Sequence, residues 1–103
     1  MSRRIAVTGI GLLTPVGIGN KETWDAVCSG KSGIKGITRF DITDHKTKIG
    51  GEITDFNPED FMNPKEARRT DRFIQYAVAS TRLALEDAGL EITDEISPRT
   101  GTL

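Results

Sequence analysis

Between Asp71 and Ala88 the residues Phe73, Ile74, Ala77, Val78, Thr81, Ala84, Leu85 and Ala88 recur at intervals of three and four. That period puts side chains on one face of an α-helix and predicts a helix over 71–88 with this face buried. Gly89 follows where a left-handed residue is wanted, and Leu90 stands where it can pack on Leu85, the pattern of a Schellman ending. Ala79, Ser80 and Ala88 are small enough to admit a neighbouring backbone, so the helix is expected to belong to a layered structure.

The other layer is read from shorter signals. Ile5-Ala6-Val7-Thr8 is a continuous apolar run that leads into Gly9-Ile10-Gly11, the look of a parallel-sheet strand covered on both faces and ending in a glycine loop. Leu12 to Gly19 reads as loop. Asn20 is placed to cap a helix whose first turn holds Glu22 and one of whose faces carries Trp24, Val27 and Cys28. Gly30 stops that helix, and Ser32-Gly33 with Gly36 continue as turn. Residues 47–54 alternate with period two and predict an edge strand. Asn57-Pro58 with Phe56 and Phe61 predicts a turn pinned by aromatics. Ser97-Pro98-Arg99 is a turn, and Thr100–Leu103 looks like the opening of a further strand, so the chain reads as a fragment. The expected class is α/β.

Composition narrows function mainly by exclusion. Hydrophobic residues make up 36% of the 103, with 11 Gly, and 14 Lys+Arg nearly balance 15 Asp+Glu. This is the make-up of a chain that buries a core, without the basic excess of nucleic-acid or anionic-membrane binders. One Cys and one His supply neither a disulfide framework nor the ligands of a structural zinc, and a reducing, cytoplasmic setting is the default. No run has the length of a membrane span, and Ser2-Arg3-Arg4 leads into no signal-peptide apolar region.

Several motifs imitate sites. In Gly9-Ile10-Gly11 the third glycine of a dinucleotide fingerprint is replaced by Thr14, Pro15 stands where a helix would start, and Ser29-Gly30-Lys31 replaces the ribose-binding acid; the pair is read as serving a tight chain reversal. Gly30-Lys31-Ser32 resembles the end of a P-loop, yet the earlier glycine is Asp25 and the triplet follows a helix. Cys28 lacks a base in register and is expected to pack in the core beside Trp24. His45 reads as an exposed loop residue. Lys65, Arg68, Arg69 and Arg72 fall at i, i+3, i+4 and i+7, so a helix beginning at Asn63-Pro64 would carry them as one basic stripe. Cations near a helix N-terminus oppose the dipole and each other, at about several tenths of a kcal/mol per site; Glu66 and Asp71 offset part of this. The stripe is either a solvated face or a dock for an acidic partner.

Val7-Thr8-Gly9-Ile10-Gly11 with Thr14-Pro15-Val16-Gly17, then Thr23-Trp24, Lys31-Ser32-Gly33-Ile34, Phe40-Asp41 and Asp55-Phe56-Asn57, resemble the start of the β-ketoacyl-acyl carrier protein synthase II family. Lys65 to Tyr76 and Ala84 to Leu90 are similar to the same family, so the resemblance covers the whole chain. It implies a thiolase-like fold of two duplicated, layered α/β halves, of which residues 1–103 would be the N-terminal part of the first, the remainder being absent. It implies a cytoplasmic homodimer that condenses acyl and malonyl groups on acyl carrier protein in fatty acid synthesis, without cofactor, metal, nucleic acid or membrane. The family's cysteine nucleophile, two histidines and lysine would lie beyond Leu103, leaving no catalytic residue in this chain. Basic residues at the positions of Lys65, Arg68 and Arg69 dock the carrier protein in that family, with Arg72 a further member of the stripe. A polyketide ketosynthase domain, and a non-enzymatic module that binds acyl carrier protein, are the alternatives.

Overall fold

A strand exists only beside a partner that takes its backbone hydrogen bonds, and this decides where structure begins. The computed structural model describes residues 2–103. Ile5 to Thr8 join no ladder there, and Ile5 and Val7 are 91% and 81% exposed. The expected first strand is therefore absent, because no other described segment lies alongside it. The first pairing comes instead inside the expected loop, where β1 (Leu13–Thr14) and β2 (Gly17–Ile18) form an antiparallel hairpin matching Leu13 to Ile18 and Thr14 to Gly17.

The hairpin rests on α1 (Asn20–Cys28). The Thr14 hydroxyl donates to the Gly17 carbonyl at 3.0 Å and shares a hydrogen bond with the Thr23 hydroxyl at 3.2 Å, which ties the turn to the helix. The cap of α1 is Gly19, at φ 95°, and not Asn20. Asn20 is the first helical residue and turns its side-chain amide back to the Ile10 carbonyl at 2.6 Å, while the Glu22 carboxylate accepts the Ile18 N–H at 3.1 Å. The buried face of α1 is Thr23 and Ala26; Trp24 and Val27 are 67% and 57% exposed, and Cys28 is exposed with them. These three do share a face, but it is an exposed one, so the core placement of Cys28 is corrected.

After Gly30, at φ 72°, the chain forms β3 (Ile34–Gly36), which pairs antiparallel with β4 (Ile49–Gly51), Lys35 opposite Gly50. The edge strand is thus present within 47–54, and its partner occupies the expected turn between Gly33 and Gly36. A latch closes the ribbon: Glu52 accepts from the Thr38 hydroxyl at 2.8 Å and from the backbone N–H groups of Thr38 and Arg39. The Thr38 hydroxyl leads in holding the Glu52 carboxyl below the usual glutamate range, with those N–H groups and the Arg39 charge assisting. Arg39 itself donates to the Ile53 carbonyl and to the Tyr76 hydroxyl, each at 2.8 Å.

Phe56 is the largest buried apolar side chain, stacked on Phe61 at 5.8 Å and set edge-on to Tyr76 at 5.1 Å. The aromatic pinning expected of this segment is observed, with Asn57 capping a 3-10 turn over Pro58–Asp60. Two helices follow, α2 (Pro64–Ala67) and α3 (Arg72–Ala88). The end of α3 is as expected: Gly89 is left-handed at φ 61°, its N–H meets the Glu86 carbonyl, and the Leu90 N–H meets the Leu85 carbonyl.

The burial of α3 differs from expectation. Ala79 and Gln75 are buried, whereas Phe73 is 70% exposed and Ile74 and Val78 are 38% exposed. The C-terminal part of the apolar stripe is covered, because the glycine loop lies against Ala84 and Ala88, while its N-terminal part at Phe73, Ile74 and Val78 has no cover among the described residues. A Cβ on Gly9 would lie 2.7 Å from the Ala88 Cβ, and one on Gly11 would lie 2.6 Å from the Ala84 backbone nitrogen. These glycines are needed for close approach to the small-residue face of α3; neither has a positive φ. The Ile10 N–H, between them, donates to Asp87 at 2.9 Å. Ser97–Arg99 forms a 3-10 turn, and Thr100–Leu103 joins no strand ladder among the described residues.

Candidate functional site

Asn63 is extended, and its side-chain oxygen accepts the Lys65 N–H at 2.9 Å, which caps α2. Pro64 follows at the first helical position, where its fixed φ suits the start and its missing N–H is not required. Only one turn forms. Arg68 closes α2, Arg69 donates its N–H to the Glu66 carbonyl, and the Thr70 hydroxyl donates to the same carbonyl at 3.0 Å. Asp71 then caps a new helix, its carbonyl taking the N–H groups of Ile74 and Gln75.

The four cations are therefore not one helical stripe. Lys65, Arg68 and Arg69 are exposed at the corner between α2 and α3 and line one surface hollow of about 400 Å³. Arg72 opens α3 instead and does not line that hollow, since the turn at Thr70-Asp71 interrupts the register that four positions on one helix would need. The break also removes much of the expected dipole conflict. Arg68 and Arg69 lie at the negative end of α2 rather than in the first turn of the long helix, where Arg72 alone is placed against the dipole.

The corner carries uncompensated charge. Among the described residues the ion pair closer than 4 Å is Lys21–Asp25, on α1. Arg68 uses its Nε on the Pro64 carbonyl at 3.3 Å. A second hollow adjoins, lined by Met62, Glu66, Arg69, Thr70, Ile74 and Val78, so cationic and apolar surface meet at Arg69.

Sequence reasoning missed the group that holds this corner. Gln75 is 7% exposed, and its amide nitrogen donates to the Ala67 carbonyl at 2.8 Å and to the Thr70 carbonyl at 3.1 Å. The available signal was a polar residue on the side of α3 away from the apolar stripe, immediately before Tyr76 in the aromatic cluster. Elsewhere, His45 is exposed as expected, its ring 5.4 Å from that of Phe40. Among the described residues no group of three or more His, Cys, Asp or Glu side chains is placed to hold a metal, and no helix is long and apolar enough to cross a membrane.

The family model described as β-ketoacyl synthase, N-terminal domain, matches residues 2–103. The chain belongs to the β-ketoacyl synthase family. It is 44% identical over 99 residues to a 3-oxoacyl-[acyl-carrier-protein] synthase 2 of Coxiella burnetii and 46% identical over 99 residues to one of Vibrio harveyi, each alignment covering 96% of this chain. A Staphylococcus aureus synthase of the same name is 43% identical over 100 residues. The chain spans about a quarter of the length of these curated relatives, 24% in each case. Among solved structures, the ishigamide ketosynthase/chain length factor superposes with a TM-score of 0.74 at 35% identity, covering 82% of this chain and 21% of that one. The thiolase-like, α/β expectation stands. The two antiparallel ribbons and α3 are what residues 2–103 contribute to it.

Proposed function

We propose that this chain is the N-terminal part of a β-ketoacyl-acyl carrier protein synthase and that it supplies the synthase with a landing corner for the carrier protein, made of Lys65, Arg68 and Arg69. In this reading the parent enzyme takes an acyl group from the carrier onto a cysteine thiolate. It then joins that group to the carbanion formed when malonyl carrier protein loses carbon dioxide, so the product is two carbons longer and the thiolate is released. The cysteine, two histidines and lysine of that chemistry belong to segments outside residues 1–103. Cys28 has no part in it, and the homodimer and cytoplasmic setting of the family are carried over with the rest. Identities of 44% and 46% to synthases named for acyl carrier protein, against 35% to the ishigamide ketosynthase, favour fatty acid elongation over the polyketide alternative.

The observation that supports docking is the corner itself: three exposed cations around one hollow, none of them in an ion pair within 4 Å among the described residues. An acidic helix approaching such a surface is steered over roughly the 8 Å Debye length of physiological salt, which mainly accelerates association. The test uses the full-length synthase with Arg68→Glu or Arg69→Glu. The expected result is a KM for carrier-bound acyl substrate raised about three- to tenfold, the factor that ~0.7–1.4 kcal/mol of lost attraction produces. Reaction with a small acyl thioester stays unchanged. Equal loss on both substrates, or indifference of carrier binding to salt, would leave the corner a solvated surface.

A further inference from the structure

We infer that Gln75 is the positioning residue of this corner, an inference that rests on the docking reading above. A one-turn helix has too few residues to satisfy its own last carbonyls, so these must find donors elsewhere. Gln75 reaches across from α3 and meets two carbonyls, those of Ala67 and Thr70, at 2.8 and 3.1 Å. A carboxamide has two N–H donors on one nitrogen, and both are used here. The two carbonyls bracket Arg68 and Arg69 in the chain, so one buried side chain holds both ends of the segment that presents the arginines.

The neighbouring contacts show why this task falls to Gln75. Ala67 is buried and anchors the turn from below, and Thr70 is tied to the Glu66 carbonyl and more weakly to the Met62 sulfur. None of these links α3 to the carbonyls on either side of the arginines. An apolar residue of the same volume at 75 would keep the packing of α3 and leave the buried Ala67 carbonyl and the part-buried Thr70 carbonyl without this donor. The segment would then turn outward to find water, moving the guanidinium groups from the spacing that an approaching helix meets. Side-chain charge would be unchanged while its placement became variable.

The experiment compares Gln75→Met, Gln75→Asn and Gln75→His with Arg68→Glu in the full-length synthase, using acyl carrier protein loaded with a saturated acyl chain and, separately, a small acyl thioester. Met keeps the length and removes both donors; Asn keeps the amide but draws it back by one methylene, so it can be read if the Met variant does not fold. Gln75→Met or Gln75→Asn is expected to raise KM for the carrier substrate three- to tenfold, with kcat and the small-thioester reaction unchanged. The dependence of carrier KM on salt should also become shallower. Gln75→His keeps one ring N–H at similar reach and should recover part of the loss. Unchanged carrier KM in the Met or Asn variant, while Arg68→Glu raises it, overturns the role of Gln75 and leaves docking intact. Equal loss on both substrates makes Gln75 a fold residue and also overturns it. No effect from Arg68→Glu removes the docking reading itself, and this inference with it.

Discussion

Gly9 and Gly11 show how much one hydrogen in place of a methyl group can decide. Their backbones lie against Ala84, Ala88 and Ser80 of α3 so closely that a Cβ would overlap backbone atoms, and backbone cannot yield as a flexible side chain can. Gly11→Ala should therefore destabilise the protein by about 1–3 kcal/mol, the usual penalty of overpacking. Gly36→Ala, in β3, meets nothing within 4 Å and has no positive φ, so it should be neutral or slightly stabilising. Thermal unfolding of the two variants beside the unaltered protein checks this, and similar midpoints for both would show that the glycine loop is not held against α3. The glycine pair is visible in the sequence. Its purpose is not visible there, because the small residues it touches, Ser80, Ala84 and Ala88, lie far along the chain on α3.

Elements bounded by local chemistry were the legible ones. The Gly89 ending of α3, the Asn63-Pro64 start of α2 and the aromatic turn at Phe56 each depend on residues within one or two turns of one another. Elements defined by a distant partner were not: Ile5–Thr8 lacks the neighbour that would make it a strand, and Ile34–Gly36 becomes one only through residues 49–51. The basic residues fall between these cases. Their charge and approximate proximity are legible, and so is a helix beginning near Asp71; that the turn at Thr70-Asp71 takes Arg72 off the stripe is not, since the i, i+3, i+4, i+7 spacing runs straight through it. The uncovered faces of α1 and α3 carry a direct consequence. Residues 1–103 made alone should bind a hydrophobic dye and show weak amide-exchange protection along Phe73 to Leu85, as apolar stripes without a covering layer do. Strong protection there in a monomer would show that these faces find cover within the chain.

At the scale of the whole molecule, the Cα radius of gyration is 17.1 Å, against about 13 Å for a self-contained domain of this length. Among the described residues the buried apolar ones are Ala26, Phe56, Ala67 and Ala79, and no large side chain is fully buried. Such a chain does not enclose a core of its own. In the reading proposed here, the remaining three quarters of the synthase cover Ile5, Val7, Trp24 and Phe73, while Lys65, Arg68 and Arg69 stay at the surface. The class and the family could be recognised from motifs spread along the chain, because glycine loops, caps and charge clusters survive in one dimension. Which faces are exposed could not, because that depends on contacts between distant residues. The most direct test is a double-mutant cycle between the full-length synthase and its carrier protein, reversing Arg68 to Glu and, on the carrier, one acidic residue of the docking helix to Lys. If the corner is the dock, each single reversal weakens binding and the pair together restores much of it, giving a coupling energy of about 1 kcal/mol or more. Losses that simply add, for every acidic position tried, would contradict contact between that helix and this corner.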